Sequence, residues 1–408
     1  MPASPEPLSF GQVLRVPGVS RLWAAQIVSI FGDFLAIFAV LSLVTFKLHG
    51  TAVQVSLIMV AFLLPFAFIG PIAGAFVDRW DVRTTMIASD LIRAGLVLLL
   101  LFVRDLNHIY AIFFALSAVS SFFVPAQSIT LRTIVPQEGL MSANALMAQA
   151  MQVMQIVSPA VSGGLVAWFG ANSCFWLDCA SFLFSASMIY SIRIKREPVK
   201  TPATVRSIAA SVAEGMKFVL THSAVSFVIL AMTAGMFAIR CFSALIAVYV
   251  RDILSATSVL YGALSSLVGF GMIAGTQLIH RFARNRPKNS LVLAGLLGIG
   301  IAILEVAITG SVVGTVIGMF ALGFCAAFIM IPSQTLLQEE TPREMLGRVS
   351  SSLWSVLSIA QVCAMLVAGP VAEALGIRQL YFGSGILLLC IAGVGYLRLK
   401  TARVKAAA

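Results

Sequence analysis

The chain has 408 residues, of which 60% are hydrophobic and 11% charged, with a formal net charge of +11. Soluble domains carry about a quarter charged residues, so an ordinary soluble protein is excluded. The basic excess is read as a topology signal at helix ends rather than as a nucleic-acid footprint, and no nucleic-acid partner is expected.

In chain order, the N-terminal MPASPEPLSFGQV has Pro and Glu6 where a secretory signal would have a basic region and an apolar core, so no cleavage is expected. Apolar blocks of roughly 20 residues follow, the length that crosses a bilayer core of about 30 Å as a helix. Backbone groups in lipid must satisfy one another, which leaves helices or closed barrels. Runs such as Leu96–Val103 and Leu291–Ala307 lack the alternation of a barrel strand. The expectation is an all-α membrane protein with twelve transmembrane helices. The first six lie near 22–46, 54–77, 84–103, 108–130, 143–169 and 171–191. The second six lie near 223–250, 257–280, 289–309, 312–336, 347–372 and 377–397. This divides the chain into a six-helix bundle over 1–191, a cytoplasmic linker over 192–222 and a second bundle over 223–408.

The linker holds RIKREPVKTPATVRSIAASVAEGMKF, with six basic residues (Arg193, Lys195, Arg196, Lys200, Arg206, Lys217) against two acidic ones. Its later part, Val205 to Leu220, reads as an amphipathic helix on the membrane surface. Placing both termini and the linker in the cytoplasm puts these residues inside, with Arg15, Arg21, Arg79, Arg83, Arg132, Arg281, Arg284, Arg286, Lys288, Arg343, Arg348, Arg398, Lys400, Arg403 and Lys405. Only Lys47, Arg104, Arg251 and Arg378 then lie outside. That asymmetry fixes the orientation. Six cysteines, all in apolar runs without a C-x-x-C, read as packing residues.

The two halves share spaced motifs. Gly70-Pro-Ile-Ala-Gly74 aligns with Gly271-Met-Ile-Ala-Gly275, Pro125-Ala-Gln127 with Pro332-Ser-Gln334, Val135-Pro136 with Thr341-Pro342, and the segment Gly163–Gly170 with Gly369–Gly376. Matches in order at an offset of 201 to 207 indicate a duplicated six-helix unit. Repeats of this kind build many secondary transporters, with the solute site between the halves near the midplane.

The stretch GPIAGAFVDRWDVRTT between the second and third spans, with this arrangement, resembles the major facilitator superfamily. Gly74, Asp78, Arg79 and Arg83 match its motif, while Asp81 stands at a usual Gly and Val82 at a usual basic position. The segments FGDFLAIFAV, VDRWDVR, SANAL, WLDCASFLFSAS and AEGMKFVLTHSAV resemble its third drug:proton antiporter branch, the macrolide-efflux and enterobactin-exporter-like proteins. The resemblance implies two pseudo-symmetric bundles, alternating access, a monomer in the cell inner membrane, and export of lipophilic solutes against protons. Gly70 and Gly74, one turn apart, would let two helices approach closely, setting Asp78 against the positive end of the eleventh span near Leu346–Ser351. Gly74, Asp78, Arg79 and Arg83 are thus expected to form a cytoplasmic latch.

An ionisable group inside a span marks a pathway or a partner. Asp33 sits about ten residues into the first span and Arg240 at a similar depth in the seventh, with Asp178 in the sixth and Glu305 in the ninth. Burial favours the neutral form of a carboxyl, which would let Asp33 exchange a proton for a solute. The alternative is a structural ion pair between Asp33 and Arg240. Asp178 reads as either a solute contact or a packing partner of Ser181. Asp90 and Arg93 are read as lying too near the cytoplasmic end of the third span to matter.

In the fifth span Ser158-Pro159-Ala-Val-Ser162-Gly163-Gly164 is a relaxed form of the antiporter motif Gly-Pro-x-x-Gly-Gly. Pro159 would kink the helix, and Gly163 and Gly164 would meet Gly269, Gly271 and Gly275 of the eighth span. The fourth span, IYAIFFALSAVSSFF, lacks the membrane-embedded Arg that many proton antiporters of the superfamily carry there. No phosphate loop, metal-ligand spacing or cofactor motif is present, and no nucleophile–base motif of a membrane acyltransferase. Phe31, Phe34, Phe38, Phe62, Phe66, Phe237 and Trp354 are candidate cavity walls. A cavity with few charges suits macrolide-like or siderophore-like compounds. Lysophospholipid transport, or proton-independent export, is the alternative.

Overall fold

The computed structural model describes residues 8–103, 105–194, 213–214, 216–283, 286–342 and 345–407. Arg104, Arg284, Arg343 and the linker segment 195–212, with Lys195, Arg196, Lys200, Arg206 and much of the expected surface helix, lie outside the described residues. Every long element is helical. A short α1 (Phe10–Arg15) starts at a capping box, the Ser9 N–H donating to Gln12 Oε1 at 2.8 Å. Then come α2 (Val19–Ser42), α3 (Ala52–Val77), α4 (Val82–Leu99), α5 (Leu106–Ile134), α6 (Leu140–Phe169) and α7 (Ala171–Tyr190). The second half contributes α8 (Ser223–Asp252), α9 (Ser258–Leu278), α10 (Lys288–Thr309), α11 (Val312–Glu340), α12 (Leu346–Leu375) and α13 (Ile377–Ala407). Pro125, Pro159, Pro332 and Pro370 all sit inside helices that continue through them.

Among the described residues, 11 helices are long and apolar enough to cross a membrane. The expected third span, α4, falls outside that set because Arg83, Asp90 and Arg93 lie within its 18 residues. This makes α4 the most charged of the long helices in the first half.

The chain forms two compact units. The first comprises Met1–Leu43 and Ala61–Val205, the second Val44–Val60 and Arg206–Ala408. The corner between α2 and α3 therefore belongs to the second unit, where a division at the linker alone would have placed it in the first. Its attachment is polar. Arg251 donates to the carbonyls of Thr45 and Gly50 at 2.8 and 2.9 Å. The Val53 N–H, at the start of α3, donates to Glu373 Oε1 at 3.0 Å. A cation thus meets the carbonyl end of one helix and a carboxylate the amide end of the next, the polarity that the helix dipole favours.

Within each unit the packing repeats. In the first, α2 lies against α6 and α7, and α4 against α5 and α7. In the second, α8 lies against α12 and α13, and α10 against α11 and α13. The backbone repeats too. Gly170 and Gly376, equivalent by the sequence offset, have φ of +78° and +98° at the starts of α7 and α13, a conformation that side chains rarely tolerate. His49 and Ser255, 206 residues apart, are the non-glycine residues with positive φ, at +50° and +49°.

The small-residue faces behave differently from expectation. A Cβ at Gly271 would stand 2.1 Å from the Phe320 carbonyl oxygen, and one at Gly275 would stand 2.4 Å from that of Phe324. Gly271 and Gly275 are therefore spent on close packing against α11 in their own unit rather than kept for the fifth span. Among the described residues nothing lies within 4 Å of a Cβ at Gly70, Gly74 or Gly164. The repeated motif has the same spacing in both halves, and its second copy is pressed against a helix. Bulk is tolerated where space exists and not where a backbone oxygen occupies it. Gly271→Ala should lower the stability of the purified protein by about 1–3 kcal/mol in thermal unfolding, and Gly70→Ala should leave it unchanged.

Candidate functional site

Three helices of the first unit bring together four charged residues inside the membrane. Asp33 comes from α2, Asp90 and Arg93 from α4, and Asp178 from α7. Arg93 is the centre. One of its terminal nitrogens donates to Asp90 Oδ1, three residues earlier on the same helix face. The other lies 3.7 Å from Asp33 Oδ2. Its guanidinium carbon stands 4.7 Å from the ring centre of Phe123 on α5 and 4.3 Å from that of Phe182 on α7. Ring faces attract a cation, more so away from water. The guanidinium is thus fixed by a carboxylate and two aromatic faces.

Exposure separates the acids. Asp90 is fully buried and Asp178 nearly so, whereas the Asp33 side chain is 34% exposed. Asp33 is the most exposed member of the cluster. Asp178 Oδ1 accepts a hydrogen bond from Ser181 Oγ at 3.2 Å, and its charge is near enough to Asp33 for the two to repel. Space for this group comes from Gly32, where a Cβ would fall 2.2 Å from Ser181 Oγ and 2.4 Å from Asp178 Oδ1. Asp178 therefore both packs against Ser181 and belongs to the charge cluster, so the two readings of it merge. Among the described residues no group of three or more His, Cys, Asp or Glu is disposed to hold a metal ion.

Of the expected Asp33–Arg240 pair, each residue has a partner inside its own unit. Asp33 contacts Arg93, and the Nε of Arg240 donates to Gln361 Oε1 on α12 at 2.7 Å. Asp90 and Arg93, read as peripheral from the sequence, are buried in the cluster. Arg93 lies eleven residues into α4, ~16 Å at 1.5 Å per residue, which is roughly half of a ~30 Å hydrocarbon core. The signal was an acid–base pair at i,i+3 inside an otherwise apolar stretch. Glu305 sits half-buried on α10 beside Gly318 of α11. Phe38 is buried in the packing of its helices, while Phe31, Phe34, Phe62, Phe66 and Phe237 are half-buried and Trp354 is exposed. Ser158, Ser162 and Gly163 are buried around Pro159, and Ser162 Oγ donates to the Leu35 carbonyl at 3.2 Å, tying α6 to α2.

The connection between α3 and α4 carries the rest of the motif. Asp81 is the N-cap of α4, accepting from the Thr84 N–H at 2.7 Å. Hydrogen bonding from the Thr84 side chain, with that from its backbone, holds the Asp81 carboxyl below its ordinary value, which gives an acid a role where the superfamily has Gly. Arg83 donates to the Tyr190 carbonyl and lies 4.8 Å from the centre of that ring, while Arg21 donates to the Ser191 carbonyl at 2.9 Å. Both arginines thus sit at the carbonyl end of α7, where cations are favoured. Arg83 is committed within the first unit, which narrows the exposed part of the expected latch to Arg79 with half-buried Asp78. The side chains of Leu346, Gly347 and Ser351, its expected counterpart, lie outside the described residues.

Comparisons with known proteins agree with this architecture. Residues 22–362 match the family description "Major Facilitator Superfamily". The chain is 27% identical to the uncharacterised MFS-type transporter YfiS of Bacillus subtilis, over 92% of this chain and 91% of that one. It is 26% identical to macrolide efflux protein A of Streptococcus pyogenes, over 91% and 93% respectively. Among solved structures, a variant of the nucleoside transporter NupG superposes with a TM-score of 0.76 at 10% identity, covering 93% of this chain and 99% of that one. At that identity the likeness concerns the fold.

The Asp81 cap yields a test with a defined pH dependence. A carboxylate whose pKa is depressed in the folded state stabilises above its unfolded value of about 3.9 and loses that contribution as pH falls through the folded value. Asp81→Ala should cost about 1 kcal/mol at neutral pH, and Asp81→Asn only a fraction of that. Thermal unfolding should show the Ala penalty shrinking toward zero as the pH drops below about 4.

Proposed function

Because this chain belongs to the Major Facilitator Superfamily, and is a multi-pass membrane transporter rather than an enzyme, we propose that it exports lipophilic small molecules in exchange for protons. Macrolide-like or siderophore-like compounds are the proposed substrates, and macrolide efflux protein A supports the first of these. The setting is the cell inner membrane, with both termini cytoplasmic and the protein acting as a monomer.

The observation that carries the coupling is the accessible carboxyl of Asp33 at mid-span, in contact with a buried arginine. A carboxyl in such a place gains or loses charge at high energetic leverage. With Asp33 ionised, the contact to Arg93 is an ion pair. With Asp33 protonated, Arg93 keeps Asp90 as its counter-ion, and the Asp33 side is released. Asp178 is the second proton-coupling or solute contact, beside Asp33. Arg240 is the corresponding solute contact on the second unit, where its described partner is the neutral Gln361.

Alternating access follows the superfamily pattern. Pro159, with Gly163 and Gly164, is the hinge of α6, and Gly271 and Gly275 hold α9 rigidly on α11. Gly74, Asp78 and Arg79 serve the cytoplasmic latch, and Arg83 positions that loop by holding the end of α7. Lysophospholipid transport or proton-independent export is the competing reading. It would gain from a span four without Arg.

Sealed inverted vesicles given external radiolabelled erythromycin or an enterobactin-type siderophore decide the matter. Uptake should rise when an inward-acid pH gradient is imposed, and Asp33→Asn should lose that rise. Full pH-gradient dependence in Asp33→Asn would refute the coupling role. In the same vesicles Asp78→Asn should reduce transport while insertion and yield stay normal, and wild-type transport in that variant would rule out the latch.

A further inference from the structure

We propose that Arg93 is the positioning residue of the proton site, supplying from the third span the fixed positive charge that the fourth span lacks. The inference rests on the reading that Asp33 takes up and releases a proton. It assigns Arg93 and Asp90 a role that the resemblance does not carry, since the cation expected on the fourth span is absent here.

The geometry is specific. The guanidinium leaves α4 and ends over Phe123, on the fourth span itself. Phe182 closes the opposite approach from α7. Asp90 holds one terminal nitrogen, leaving the other directed at Asp33. Asp90 has no exposed surface and Arg93 only 3%, so neither exchanges readily with water. The Asp33 side chain keeps 34% of its surface exposed. The pair behaves as a permanent anchor, and Asp33 as the exchangeable member.

Other charges near Asp33 are few. Asp178 faces it from α7 with Ser181, and Asp90 and Arg93 from α4. Helix α6 contains no Asp, Glu, Lys or Arg, and the His108 and Arg132 of α5 lie in its first and last turns. Arg93 is therefore the one described cation beside three carboxyls in this part of the first unit. Two acids remain unanswered, and in a dry interior they cannot both stay charged at low cost. Asp178 is buried and bonded to Ser181, so Asp33, the more exposed of the two, is the acid that exchanges a proton against Arg93.

The test reads Asp33 directly, without needing a substrate. The full-length protein in lipid vesicles is titrated by infrared difference spectroscopy, and the carboxyl band lost in Asp33→Asn identifies Asp33. The double variant Asp90→Asn/Arg93→Gln removes the pair without stranding a buried charge. In that variant the Asp33 midpoint should rise, by less than the about one to three pH units that an arginine alone imposes on a carboxylate, because losing the Asp90 charge acts in the opposite direction. Arg93→Lys, which keeps the charge, should stay close to wild type. Equal midpoints in the wild type and the double variant overturn the role of Arg93 while leaving Asp33 as the coupling acid. A midpoint in Arg93→Lys as high as in the double variant also overturns it, because charge would not be the agent. If Asp33→Asn removes no titrating band, both this inference and the coupling reading fail.

Discussion

A guanidinium held inside hydrocarbon is tolerable only if a carboxylate and shaped packing answer it, and Arg93 meets that condition with Asp90, Phe123 and Phe182. The groups that answer it come from α4, α5 and α7, and the acid it reaches for comes from α2. The centre of the first unit is thus built around one cation. Its surroundings are otherwise small and lightly polar. The Trp23 indole donates to the Leu146 carbonyl at 3.2 Å, Gln127 donates to Gln26, and Ser162 donates to Leu35. These bonds fix α2, α5 and α6 around the cluster with neutral groups, which cost far less to bury than charges.

Among the described residues, the second unit solves the same packing problem without a charge cluster. Phenol hydroxyls take the place of ions. Tyr249 donates to the Val306 carbonyl at 2.9 Å and Tyr381 to that of Phe242 at 3.0 Å, with the two rings 5.5 Å apart. Glycines bring α9 onto α11. One duplicated architecture therefore carries two kinds of core, an ionic one suited to switching and a tightly packed one suited to rigidity. The division of labour follows from chemistry, because titratable carboxyls respond to protons and close-packed backbone does not.

Much of this was legible from the amino-acid order. Blocks of apolar residues located the spans, and equivalent glycines at Gly170 and Gly376 do share a backbone conformation that few other residues adopt. Asp33 and Asp178 stood out because an ionisable group inside an apolar run marks a pathway or a partner. Asp90 and Arg93 did not stand out, since depth along a helix was counted from the first apolar residue. Their burial depends on rings from two other helices, which no local pattern reveals. Gly271 and Gly275 likewise read as a generic small face, and only the position of the Phe320 and Phe324 carbonyls says which helix they receive. Asp81 looked like a lapse from the superfamily motif. It is a helix cap.

The organising role of the Arg93–Asp90 contact is most directly tested by a double-mutant cycle on the purified protein's unfolding free energy. Each single change, Asp90→Asn or Arg93→Gln, should destabilise by about 3–5 kcal/mol because it strands an uncompensated buried charge. Their combination should cost far less than the sum. Additive losses, or single variants as stable as the wild type, would contradict the account.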